Sequence, residues 1–128
     1  MSELEESEEA KEEFVCERRA MIYLASPYSH PDESVRIERF KAVNKAAAIL
    51  ISRGEIIYSA ISHTHPIAIE ADMPLGWEFW QRIDHYYLNL CEKMIVLMLP
   101  GWETSEGVKA EIEFVARLGK PVEYMEPR

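Results

Sequence analysis

The chain has 128 residues, nearly half of them apolar, and no apolar run approaches the ~20 residues that a membrane span needs. Such a length makes one domain, which buries roughly two-thirds of the surface its unfolded chain exposes. The net charge of −9 is unevenly spread: residues 1–19 carry eight glutamates against Lys11, Arg18 and Arg19, a balance of −5, which leaves −4 for the remainder. Acidity opposes nucleic-acid polymers and anionic membranes as partners, but local groups can still hold a small mononucleotide.

Residues 1–19 read as a flexible acidic tail and residues 20–128 as a single α/β domain. The acidic start lacks the basic and apolar regions of a secretory signal. Cys16 and Cys91 suggest no disulfide framework, so a reducing cytoplasm is expected.

Ala20 to Ser26 is a short apolar run stopped by Pro27, which predicts a buried strand. His30-Pro-Asp-Glu-Ser34 is a helix-start signal, and helical spacing continues to Arg53, with Gly54 as the terminating residue. Residues 55–60 make a second strand. Residues 62–75, with two histidines and two prolines, read as a long polar loop of the kind that carries function. A second helix over 76–92, a third strand over 93–99, a turn, a third helix over 106–118 and a short strand over 121–125 complete the chain.

Alternating strands and helices predict a flavodoxin-like or Rossmann-like three-layer sandwich: a parallel sheet in the order 2-1-3-4 with helices on both faces. In such sheets ligands bind beyond the carboxyl ends of the strands, where the order reverses between strands one and three. Residues 26–30, 59–73 and 100–107 meet at that rim.

Two carboxylates stand out. On the last helix Glu113 has Lys109 and Arg117 four residues either way, but Glu111 falls among Val108, Gly107 and Val115. On the preceding helix Asp84 falls among Trp77, Trp80, Leu88 and Cys91. A buried, unpaired carboxylate costs several kcal/mol on rough scales, so each needs either a backbone partner or a chemical task. Two at one rim suit cleavage of a glycosidic bond: one ionised group stabilises or attacks an oxocarbenium-like carbon, and the other handles the proton of the leaving group. The helix dipole favours an ionised Glu111, and desolvation among aromatics favours a protonated Asp84.

Other rim residues are candidates for ligand contact. Ser26 lies just past strand one, Tyr23 within it and Tyr28 after it; the tyrosines suit contact with a sugar and stacking on a base. Ser105 suits a helix N-cap, with Gly107 letting a ligand approach the exposed N–H groups. Arg36 and Arg39 lie toward the rim, where they could meet a phosphate or fix a catalytic carboxylate, or else reach solvent. Trp102 is placed to wall the pocket. His63 and His65, with Glu70 and Asp72, are an unspecific pattern for a metal; His65 fits loop hydrogen bonding or contact with a base better, so no metal or cofactor is expected.

Residues 20–125 resemble the nucleoside 2-deoxyribosyltransferase-like superfamily, which includes 2′-deoxynucleoside 5′-phosphate N-hydrolases. The resemblance rests on Ile22-Tyr-Leu-Ala-Ser-Pro-Tyr28, on Asp84 ahead of the third strand, and on Ser105-x-Gly107-x-x-x-Glu111 followed by Gly119-Lys-Pro-Val122. It implies that Glu111 is a nucleophile forming a covalent deoxyribosyl intermediate, that Asp84 transfers a proton near the base, and that Tyr23 positions Glu111. Ser105 stands where the transferases usually have aspartate and the nucleotide hydrolases serine, which tilts toward a 5′-monophosphate. The serine-and-arginine phosphate loop of those hydrolases is replaced by Pro27-Tyr-Ser-His30, so Arg36 or Arg39 would have to substitute.

The resemblance also implies a homo-oligomer. The apolar arc of the second predicted helix, wider than one sheet face requires, points the same way. The expected activity is cleavage or transfer at the N-glycosidic bond of a (deoxy)ribonucleoside or its 5′-monophosphate. The rivals are a nucleotide-binding module without turnover and a metal-dependent phosphohydrolase built on His63, His65 and Asp72.

Overall fold

The computed structural model describes residues 20–128; the expected acidic tail lies outside them. Strand β1 (Ile22–Ala25) leads to helix α1 (Glu33–Ser52), β2 (Ile57–Ser59), α2 (Ala60–Glu70), α3 (Trp77–Leu90), β3 (Lys93–Leu97), a 3₁₀ turn (Trp102–Thr104), α4 (Glu106–Arg117) and β4 (Val122–Met125). The four strands are parallel in the order β2-β1-β3-β4, as the alternating pattern predicts.

The pleat decides what faces what. Side chains alternate along a strand. Ile22 and Leu24 of β1, with Ile95 and Leu97 of β3, therefore meet Val43, Ala46, Ala47 and Leu50 of α1. Tyr23 and Ala25, with Met94 and Val96, turn to the opposite face and meet Leu88 of α3 and Val108 and Val115 of α4. Tyr23 thus enters the layer that carries both anomalous carboxylates.

Helix ends obey local chemistry. Asp32 caps α1 by accepting from the Ser34 N–H at 2.9 Å. At the other end Gly54, at φ +93°, lets its N–H reach Ile51 O and the Glu55 N–H reach Leu50 O. That is the paired closure in which a left-handed residue satisfies the last carbonyls.

The loop expected over residues 62–75 is mostly helix instead. Helix α2 springs straight from β2, and its buried stripe is Ala60, Thr64, His65 and Ala68. Those residues are small or polar, whereas Ile67 and Ile69 point outward, so the hydrophobic period that announces a helix is missing from the sequence. Pro66 lies inside the helix, a second misleading signal. Asp72, a possible metal ligand by sequence, is the residue that ends α2: it sits at φ +51° and lets the Met73 N–H bond Ala68 O at 2.8 Å.

Among the described residues no helix is long and apolar enough to cross a membrane.

Candidate active site

Both anomalous carboxylates are turned inward. The buried stripe of α3 is Trp80, Asp84 and Leu88, and that of α4 is Val108, Glu111 and Val115, so each acid sits midway along its helix's packing face. Asp84 and Glu111 are each only 5% exposed, and both line one cavity of about 550 Å³ at the carboxyl end of the sheet. That volume is typical of small-molecule sites.

Tyr23, wholly buried, donates its phenolic hydrogen to Glu111 Oε2. Asp84 Oδ1 has no protein partner. Burial pushes the carboxyl groups of both acids well above the ordinary carboxylate range. For Glu111 the charge of Asp84 adds to the rise, and the Tyr23 hydrogen bond pulls the other way. Burial therefore outweighs the helix dipole that favoured an ionised Glu111. The two groups titrate as a pair, which keeps one proton over a range where free carboxyls have lost theirs. The Tyr23 phenol is itself raised, first by burial and then by the Glu111 charge, so it stays protonated and keeps its hydrogen for Glu111.

The rim residues converge as expected in most cases. Ser26, Tyr28, Arg39, Ser105 and Gly107 all line the cavity. Ser105 Oγ caps α4 by accepting from the Val108 N–H at 3.3 Å. Gly107 has a sharper reason than ligand approach: a Cβ there would lie 2.9 Å from Trp77 Cδ1, so α4 admits the indole of α3 only because the position is glycine.

Arg39 donates to Ser29 O at 3.0 Å and to Pro100 O at 3.2 Å, tying the loop after β1 to the loop after β3. Its guanidinium also crowds Gly101, where a Cβ would come to 3.0 Å of Nη2. Arg36 Nη1 donates to His30 O and Pro31 O. Both arginines donate to backbone carbonyls rather than to the acids, and Arg36 also faces the Tyr28 hydroxyl.

Three further candidates lie away from the cavity. Trp102 is not part of the cavity wall; it packs on Tyr124 with ring centroids 5.4 Å apart. His65 lies behind the wall, bonded through Nδ1 to the Tyr28 hydroxyl and stacked on Phe40 at 4.2 Å. His63, two residues earlier on α2, packs instead toward Tyr58 and Tyr87. Residues two apart on a helix point nearly opposite ways, so the two histidines do not converge on one ligand. Among the described residues no group of three potential metal-ligating side chains occurs.

Thr64, Trp77 and Trp80 are lining residues the sequence reading did not assign to the site. The tryptophans read as ordinary core on the helical wheel, and Thr64 was hidden in the supposed loop. Thr64 Oγ1 and Ser26 Oγ are both buried without a protein partner. Buried polar atoms are nearly always satisfied, so orphaned hydroxyls in a cavity mark where a ligand or solvent must bond.

None of the curated proteins compared with the chain matches it. A family profile matches residues 20–127, which include every residue of the cavity just described; the chain belongs to that family, a domain of unknown function (DUF1937).

Proposed function

We propose that the protein cleaves or transfers at the N-glycosidic bond of a (deoxy)ribonucleoside or its 5′-monophosphate, with Glu111 as nucleophile. The observation that carries this reading is the pair itself: two buried carboxyls in one cavity, one of them held by a buried tyrosine hydroxyl. The resemblance to the nucleoside 2-deoxyribosyltransferase-like superfamily supports it, because the same three side chains carry that resemblance.

The chemistry follows from one shared proton. In the form of the pair that carries its one proton on Asp84, Glu111 is ionised and attacks the anomeric carbon as the bond to the base breaks, and the electron pair leaves with the base nitrogen. Asp84, protonated, supplies the hydrogen that neutralises the base. Water or a second base, deprotonated by the Asp84 carboxylate, then displaces Glu111 and restores the starting state. Tyr23 holds the attacking carboxylate in place, and Ser105 and Gly107 border the sugar or phosphate end. No metal or cofactor enters these steps.

The reading carries a cytoplasmic setting, where the buried thiol of Cys91 remains reduced, and a homo-oligomer formed over the outer face of α3. Glu111→Ala, assayed against a panel of deoxynucleosides and their 5′-monophosphates, is expected to lose base release by at least ~1,000-fold. Release at the wild-type rate overturns the assignment. Ligand-induced stabilisation without free base after long incubation shows a binding module instead.

A further inference from the structure

Tyr28 lines the cavity, and its hydroxyl is bonded to a histidine that does not. His65 is fixed from two sides: the Phe40 ring stacks on it from α1, and the Tyr28 ring meets it edge-on with centroids 5.5 Å apart. A tyrosine hydroxyl has one hydrogen, and neutral imidazole has one donor and one acceptor nitrogen. Since Tyr28 reaches Nδ1, either Nδ1 is bare and accepts, or it carries hydrogen and the tyrosine oxygen accepts.

The surroundings choose between these. The charged groups facing His65 are Arg36 and Glu33, both on α1; burial and the Arg36 guanidinium push its pKa below the ordinary value, and Glu33 opposes them. The neutral ring is therefore the resting form, and a phenol, the stronger acid, donates to it. Protonation gives an imidazolium with two donors and no acceptor, so the Tyr28 hydrogen must turn elsewhere.

We infer that His65 is a positioning residue: with Nδ1 bare it accepts from Tyr28 and holds that ring as a wall of the cavity, and on protonation it reverses the bond and turns the Tyr28 hydrogen away from itself. This rests on the proposed reaction only in making the cavity a substrate site. Of the two roles the sequence offers for His65, hydrogen bonding and contact with a base, the hydrogen bond is the one seen, one residue behind the cavity.

The test is ¹⁵N and ¹H NMR of the full chain across a pH titration. In the wild type the neutral ring of His65 should carry its hydrogen on Nε2. Tyr28→Phe removes the donor that keeps Nδ1 bare, so a measurable share of the neutral His65 ring should shift its hydrogen to Nδ1. The Tyr28 ring signals should move with the His65 midpoint in the wild type and stay still in His65→Gln, whose amide oxygen accepts but does not titrate. Hydrogen found on Nδ1 in the wild type, a tautomer balance unchanged in Tyr28→Phe, or a Tyr28 ring indifferent to His65 overturns the inference. The tautomer reading needs no variant to fold. None of these readouts uses substrate, so an absence of base release counts against the proposed reaction alone.

Discussion

A carboxylate buried in a packing stripe is a cost that folding must offset elsewhere, and its size depends on pH. In the unfolded chain Glu111 and Asp84 ionise in the ordinary carboxylate range, near pH 4. In the fold burial raises both. Between those values the native state binds more protons than the unfolded state, so stability falls as pH rises, and the loss is complete once the pair is fully ionised. Glu111→Gln keeps an oxygen for the Tyr23 hydroxyl and removes one ionisation. Its melting temperature should exceed that of the wild type at pH 8 by on the order of 5 °C, and the gap should shrink at pH 5. Thermal melts at the two pH values check the sign: a gap that widens at low pH means the acids are stabilised, not burdened, by their site. The same variant should release no base, a trade of activity against stability expected where a catalytic group is held in an unfavourable place.

At the level of elements, what could be read in advance was whatever a single helix or strand announces by itself. Asp84 and Glu111 were legible because Trp80, Leu88, Val108 and Val115 mark the buried stripes around them. Strand order followed from alternation and handedness. Helix α2 was not legible, because Thr64 and His65 occupy its buried positions while Ile67 and Ile69 are outside. With that helix unseen, hydrogen bonding and base contact stay equally open for His65, and Thr64 stays hidden. The contact between Gly107 and Trp77 was also beyond reach, since it depends on how α3 and α4 pack across one another. It predicts that Gly107→Ala, harmless to an isolated helix, displaces the Trp77 side chain from the cavity wall. The cost should be about 1–3 kcal/mol in chemical denaturation, typical of overpacking, with quenched or shifted indole fluorescence. Unchanged stability and fluorescence mean that the ring moves aside freely.

Among the described residues both faces of the sheet carry a packed core, and α3 leaves an aromatic stripe exposed. Trp80, Asp84 and Leu88 use the inner stripe of α3, whereas Phe79 is 44%, Tyr86 66% and Leu90 54% exposed. An aromatic stripe of this kind on a chain of net charge −9 is set against its own electrostatics, because like-charged copies repel at long range while apolar surfaces attract at contact. The proposed homo-oligomer resolves the conflict if copies meet along this helix, with their glutamates left at the rim. Sedimentation velocity should then show more than one subunit, with association strengthened by salt as repulsion is screened. Phe79→Ser with Tyr86→Ser should yield the single chain without unfolding it, since neither residue belongs to the buried core. A wild type that sediments as a monomer at all salt concentrations leaves the α3 face without a second copy and the cavity to work within one subunit.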